Sequence, residues 1–412
     1  MSEAKPDGGW PAAATGRPGD PPPGVPAPPG WTGRVLQVLA TSTGGVGAHV
    51  VDLTRGLVAA GADVTVCGPA ATEQRFAFTG AGARFVSVEI SAGSQPSDAR
   101  AVGALRRTVA AVRPDLLHAH GLRAGLVAAL ARGGSRSRTA RPALVVTLHN
   151  AVLSRGVRGG ASRLVERIVA RSADVLLGAS SDLVARAGAV GAADARLAPV
   201  AAPVLPPARR TRAAVRAELR VGPDTPLVLS VGRLHPQKGY DVLVAAAARW
   251  RDQHPTPQVV IAGNGPSYLD LTARISASRA PVTLLGHRDD VSDLLQAADL
   301  AVVSSVWEAR QLFAQEALRA GVPLVASAVG GLPGLVGDAA VLVPPGDVAA
   351  LDRAARRMLD DPARLARYAR RGRTQAATWP SSAEMLAQVQ AVYAELSPAA
   401  GGGPDRAPAA ER

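Results

Sequence analysis

Short apolar runs recur along the chain, each closed by a turn and followed by a segment whose apolar positions fall at helical spacing. RVLQVLA (34–40) is the first and reads as a buried strand. After TSTGGVG comes AHVVDLTRGLVAAG, with Val50, Leu53, Leu57 and Val58 on one helical stripe and Gly61 as the stop. DVTVC (63–67), DLLHA (115–119), ALVVTL (143–148) and DVLLGAS (174–180) are further buried-strand candidates. AAPVLPPARR (201–210) is a proline-rich break, and the pattern then restarts. PLVLSVG (226–232), QVVIAG (258–263), PVTLLG (281–286), DLAVVSS (299–305) and VPLVAS (322–327) predict strands, each trailed by a helical segment such as KGYDVLVAAAARW (238–250).

Strands alternating with helices predict an α/β fold of two Rossmann-like, doubly wound parallel-sheet domains facing a cleft. The boundaries drawn from the sequence are a Pro/Gly-rich disordered tail at 1–30, a first domain at 31–203 and a second at 204–378. A last helix at 379–398, opened by Trp379-Pro380, is placed to cross back to the first domain, and 399–412 reads as a second disordered tail. In such sheets ligands bind beyond the carboxyl ends of the strands, so residues just after strands carry the interest.

Composition narrows the classes. No apolar run approaches the roughly 18 residues of a membrane span. The single cysteine, Cys67, excludes a disulfide framework and any cysteine-cage metal site. No apolar signal region is visible near the start, so a cytoplasmic protein is expected. The net charge of +13 implies attraction to anions. Nucleic acid is disfavoured, because the few aromatic residues do not interleave with a basic stripe. All basic residues but Lys5 and Lys238 are arginine, a bias that a GC-rich genome explains.

Lys238 stands out against that bias. With Gly232-Arg233 it follows the first strand of the second half, where a phosphate would dock against a helix N-terminus; a solvated lysine opening a helix is the plain alternative. Glu308 and Glu316 lie in WEARQLFAQEALRAG. On one helix they would stand roughly 12 Å apart and about 80° out of phase, too far to share a metal but suited to the two ends of a nucleotide sugar. Gly44-Gly45-Val46-Gly47 and Gly263-Asn264-Gly265-Pro266 follow strands, as loops that let a ligand approach or as tight turns. Neither completes a dinucleotide fingerprint, and no P-loop is present. His118, His120 and His149 end strands of the first half, as site residues or as satisfied structural histidines.

In order and spacing, Gly44-Gly45 before a helix, DLLHAH, GRLHPQKG, AGNGP, LLGH, EARQLFAQEALRAGVPLVAS and Gly330-Gly331-Leu332-Pro333 together resemble the GT-B glycosyltransferases of the family-4 type, over about 34–395. The resemblance implies a retaining, metal-independent hexosyltransferase that needs no cofactor and uses a nucleoside diphosphate sugar as donor. It implies that Arg233 and Lys238 neutralise the donor diphosphate, that Glu316 binds the ribose diol and that Glu308 contacts the donor sugar. Gly45, Gly263, His287, Gln311 and Leu312 complete the expected donor side. His49, His120, Thr147 and His149 form the expected acceptor side, with His120 facing the reacting centre and His120, Glu308, Arg233 and Lys238 as the catalytic set. Two departures stand out: Arg310 and Gln311 replace the family's usual Phe and Gly, and Gly334 replaces an acidic residue. A nucleotide-sugar epimerase or hydrolase, or a catalytically weak nucleotide-sugar-binding protein, are the alternative functions.

The acceptor is a sugar, a lipid-linked or a small molecule. Arg132, Arg136, Arg138, Arg141, Arg155, Arg158, Arg163, Arg167 and Arg171 crowd one stretch of the first half. They suit peripheral contact with an anionic membrane or a phosphorylated acceptor, against the plainer reading of a solvated surface shaped by codon bias.

Overall fold

The computed structural model describes residues 30–42, 44–91, 98–132, 141–151, 156–201 and 204–397. Two parallel sheets organise it. The first holds β1 (Arg34–Leu39), β2 (Asp63–Gly68), β3 (Arg84–Ser87), β4 (Leu116–His120), β5 (Ala143–Leu148), β6 (Val175–Gly178) and β7 (Ala195–Leu197), in the order β3-β2-β1-β4-β5-β6-β7. The second holds β8 (Leu227–Val231), β9 (Gln258–Ala262), β10 (Val282–Gly286), β11 (Leu300–Val303), β12 (Leu324–Ser327) and β13 (Val341–Val343), in the order β10-β9-β8-β11-β12-β13.

Helices cover both faces of each sheet. On the first lobe they are α1 (Gly45–Ala59), α2 (Ala70–Phe76), α3 (Asp98–Val112), α4 (Leu122–Arg132), α5 (Gly156–Ser172) and α6 (Ser181–Ala189). On the second they are α7 (Arg212–Glu218), α8 (Tyr240–Ala247), α9 (Tyr268–Ser278), α10 (Val291–Ala297), α11 (Leu312–Ala320), α12 (Leu332–Val336), α13 (Val348–Leu359) and α14 (Pro362–Ala377), followed by α15 (Ser382–Leu396). The central strands are predominantly apolar because both faces are buried, with Gln37, His118, His120 and Thr147 among the buried polar exceptions. In β1, Val35 and Leu39 join the core under α1, while Leu36 and Val38 join the core on the opposite face. Among the described residues no helix is long and apolar enough to cross a membrane.

The strands that the sequence pattern misses are β3, β7 and β13, all at or next to sheet edges. They are three or four residues long and partly exposed, so none shows a continuous apolar run. The segment 238–250 is not one helix. A 3-10 turn, Pro236–Lys238, precedes α8, and Gly239 between them is left-handed with φ 61°. A Cβ on Gly239 would stand 2.2 Å from the Ser304 carbonyl oxygen, so the turn carrying Lys238 is pressed onto the end of β11. Of the expected tails at 1–30 and 399–412, all but Gly30 lie outside the described residues.

Two features tie the lobes. From Arg209 on, the connecting stretch is fastened to the second lobe: the Arg209 amide donates to Asp293 Oδ1 at 2.6 Å and Arg210 Nε to Asp293 Oδ2 at 3.0 Å. At the other end α15 starts with a capping box, Ser381 with Glu384, and returns to the first lobe. There Val389, Val392 and Tyr393 join the core with Trp31, Leu53 and Leu57. Trp31 Nε1 donates to the Ser397 carbonyl at 3.0 Å, and the Tyr393 hydroxyl lies 2.6 Å from His118 Nδ1. Tyr393→Phe removes that partner from a buried imidazole and is expected to lower stability by about 1–3 kcal/mol in urea unfolding of the full chain. An unchanged midpoint would show that the Tyr393–His118 contact contributes nothing to holding the helix.

Candidate active site between the lobes

The second-lobe side is built from the loops after β8 and β11. Lys238 Nζ lies 2.6 Å from Glu308 Oε1, and Ser305 Oγ donates to the same oxygen at 2.7 Å. Gln237 Nε2 donates to the Trp307 carbonyl at 2.9 Å, the Val306 amide to the Gln237 carbonyl at 2.8 Å, and Ser304 Oγ to the Lys238 carbonyl at 3.1 Å. The two loops are thus stitched together through backbone and side chains. Arg233 is exposed on the same turn. His235, between the two cations, is held below its ordinary pKa by burial and then by Arg233 and Lys238.

Glu308 is not on a helix with Glu316. It sits, buried, in the loop before α11, so the expected helical spacing of the two carboxylates does not apply. The helix starts only at Leu312 because Gln311 caps it, its side-chain oxygen accepting from the Ala314 amide at 3.1 Å. Where the resembled family has glycine, this side chain covers one amide of the first turn. Arg310 does not reach toward Lys238. Its guanidinium lies 5.7 Å from the Trp379 ring centre, as does that of Arg319, and burial and then Arg319 press its pKa down to about 10. Glu316 is in the second turn of α11, its pKa pushed up to about 7 by burial against the opposing pull of Arg319.

Other expected donor residues are placed for different reasons. Gly263 has φ 148°, and a Cβ there would stand 1.9 Å from the Gly232 carbonyl oxygen. The neighbouring turn, not a ligand, excludes a side chain at that position. His287 is exposed, with Nε2 3.0 Å from Asp289 Oδ1. Gly45 faces the second lobe directly: a Cβ on it would lie 3.2 Å from Leu312 Cδ1, at the start of α11. Next to this approach the lobes touch. Trp307 Nε1 donates to Asp182 Oδ2 at 3.1 Å, and Trp307 and Ala309 pack with Ala179, Leu183 and Val200 of the first lobe.

The first-lobe side is a group of four histidines. His118 is satisfied on both nitrogens, by Tyr393 and by Thr147 Oγ1 at 2.7 Å. Both His118 and Thr147 are buried, so Thr147, expected on the acceptor side, instead holds His118 in the wall behind the cleft. His120 and His149 approach each other, Nδ1 to Nε2, at 3.4 Å, and the His49 ring centre lies 5.6 and 5.2 Å from theirs. Burial, and for all but His49 repulsion from neighbouring histidines, lowers all four pKa values: His49 to about 4, His118 to about 3, His120 and His149 well below their usual value. The group is a neutral wall of hydrogen-bonding nitrogens. Sequence reasoning did not single out Ser305, Gln237, Trp307, Asp182 or Tyr393. Of these only Ser305 carries a signal, a polar residue at the end of a predicted strand.

Residues 44–203 match the family model described as "Glycosyl transferase 4-like domain", and residues 211–375 the one described as "Glycosyl transferases group 1". Glycogen synthase of Mycobacterium tuberculosis is 41% identical over 180 residues, 41% of this chain and 43% of that protein. D-inositol 3-phosphate glycosyltransferase of Nocardia farcinica is 38% identical over 192 residues, 42% of each chain. The 2-deoxystreptamine N-acetyl-D-glucosaminyltransferase of Streptomyces fradiae is 34% identical over 272 residues, 61% of this chain and 63% of that protein. The matched stretches thus span between 42% and 63% of the length of these relatives. Among solved structures, sucrose-phosphate synthase from Thermosynechococcus elongatus shares the fold with TM-score 0.72 and 23% identity, covering 88% of this chain and 99% of that one. HepE of Anabaena in complex with UDP-glucose shares it with TM-score 0.73 and 20% identity, over 88% and 100%.

The displaced pKa of Glu316 has a signed consequence. The folded carboxyl keeps its proton up to about pH 7, whereas its ordinary value is 4.5. The folded state therefore binds more protons across that window, and stability falls as pH rises through it. Glu316→Gln has no proton to lose, so its urea midpoint should gain on that of the parent between about pH 5 and about pH 8. A difference that does not change with pH would mean that this carboxyl titrates normally.

Proposed function

This chain belongs to the GT-B glycosyltransferases of the family-4 type, its two matched domains standing in tandem, and on that premise we propose that it moves a sugar from a nucleoside diphosphate sugar to an acceptor hydroxyl, with retention at the anomeric carbon and without a metal. The observation that carries the reading is the Lys238–Glu308 pair, 2.6 Å long, on a turn shared with Arg233 and next to the approach of the Gly45 loop. An ammonium has three donors, and one is spent on Glu308. The others, with Arg233, serve the departing diphosphate, whose developing charge is the main thing to stabilise. Lys238 and Ser305 both use Oε1 of Glu308, which leaves Oε2 as the oxygen for a donor-sugar hydroxyl. Glu316 takes the ribose diol, and its bound form is the carboxylate, the better acceptor.

His120 is too weak a base to hold a proton at neutral pH, so its role is to orient the acceptor, and the acceptor proton leaves with the diphosphate. HepE is described in complex with UDP-glucose, which makes UDP-sugars the first donors to try. Thermal shift with UDP-, GDP- and ADP-sugars reads donor choice. Lys238→Ala should lose roughly 10²–10³-fold in turnover. Because it also strands the Glu308 carboxylate, the Lys238→Ala, Glu308→Gln double variant should regain stability and remain slow. Near-full turnover in either variant would overturn the assignment.

We also read the first lobe as meeting an anionic membrane peripherally, at the cytoplasmic face, where a lipid-linked acceptor would be found. Arg163, Arg167 and Arg171 are exposed on α5 with Leu164 (57%) and Ile168 (37%) between them, an arginine stripe with apolar tips. Arg132 is excluded from that stripe by its pair with Asp174 at 2.7 Å. The positions 136, 138 and 155 and the Arg158 side chain lie outside the described residues. The full chain should float with anionic vesicles at low salt and be released at high salt. Failure to float at low salt excludes the contact.

A further inference from the structure

His49, His120 and His149 bring one ring nitrogen each to within 4.8 Å of the other two. They come from three separate elements: α1, the end of β4 and the residue after β5. The His120 Nδ1 to His149 Nε2 edge is 3.4 Å. A tetrahedral ion with bonds to nitrogen of about 2.0–2.1 Å needs edges near 3.3 Å, so one edge already fits and the others close by ring rotation and a small shift of α1. His49 Nδ1 and His120 Nε2 are buried, and among the described residues neither has a hydrogen-bond partner. A buried imidazole nitrogen without a partner is costly, so the cluster is under-satisfied as it stands, although His120 Nε2 lies on the other ring nitrogen from the one that meets His149. The fourth neighbour, His118, is fully spent on Tyr393 and Thr147 and supports the wall from behind. His149 is partly exposed and gives the way in.

We propose that this histidine triad is a binding site for a divalent transition-metal ion of the zinc class, with three imidazole ligands and a fourth position open to the cleft. Three nitrogen ligands of borderline softness select zinc, cobalt, nickel or copper over magnesium or calcium. Among the described residues no acidic side chain joins the cluster, and the transfer proposed above routes no step through an ion there, so the ion is read as a guest on the acceptor wall. Occupancy would take His120 and His149 away from an acceptor and inhibit.

The test uses full-length protein stripped with chelator and titrated with Co²⁺. The expected result is a visible ligand-field band that saturates at one equivalent, bleaches on Zn²⁺ addition and is lost after chelation. His49→Gln and His149→Gln should each weaken binding at least about tenfold, with the fold checked by circular dichroism. His254→Gln, at an exposed position, and Cys67→Ser should leave the band unchanged. Absence of a band and of calorimetric Zn²⁺ binding at several equivalents overturns the site. So does binding that survives the His49→Gln, His149→Gln double variant, which would place the ion elsewhere. None of these readouts requires turnover, so the metal site can fail while the transferase reading stands, or the reverse.

Discussion

A carboxylate buried in a loop has to be paired, and the Lys238–Glu308 contact does this at the point where the two halves of the molecule meet. Glu308 has left water almost entirely, and one ammonium and one serine hydroxyl hold the same oxygen. Removing one partner of such a pair typically costs on the order of 3–5 kcal/mol, because the remaining charge cannot be solvated. The pair therefore acts on structure before it acts on substrate. It fixes the turn after β8 to the loop after β11, and the side chains of Gln237 and Ser304, donating to the Trp307 and Lys238 carbonyls, follow the same seam. In a chain that uses arginine almost everywhere, a lysine here makes physical sense: a compact charge on a narrow stem reaches into a crevice that a planar guanidinium would have to enter edge-on.

The two sides of the cleft are electrically unlike. The second lobe offers a carboxylate already committed to Lys238, with the exposed Arg233 on the same turn. The first lobe offers imidazoles that burial keeps neutral. A ligand with a charged end and a neutral, hydroxyl-rich end is matched by this division. In the proposed reaction, charge developing on the diphosphate would be met on the side that holds fixed charge, and the acceptor by groups that orient without competing for protons.

Much of this was legible in the sequence, and what was not has identifiable causes. Double-sided burial makes the central strands continuous apolar runs, so the two sheets and the break between them could be read directly. Three of the four edge strands could not, since β3, β7 and β13 are short and partly exposed. Lys238 was noticed because it is rare and follows a strand. Its partner was misplaced: EARQLFAQEALRAG carries helical periodicity from its first residue, and glutamine is a weak cap signal, so nothing marked the helix as starting at Leu312. The role of Tyr393 was illegible for another reason. A hydroxyl that reaches a histidine 275 positions away has no local signature.

The replacement of Phe and Gly by Arg310 and Gln311 joins these threads. A glycine there would leave the first amides of α11 open to an anion, and Gln311 closes one of them. Arg310 does not compensate with its charge, because it is held over Trp379 beside Arg319. In the proposed reaction the burden of binding the diphosphate would therefore fall further onto Arg233 and Lys238. Since Lys238 is shared with Glu308, and the Glu308 loop carries Trp307 into the first lobe against Asp182, any ligand that draws on the lysine also pulls on the contact between the lobes. If the donor binds as proposed, the departures from the family pattern make its binding and the position of the lobes a single mechanical problem.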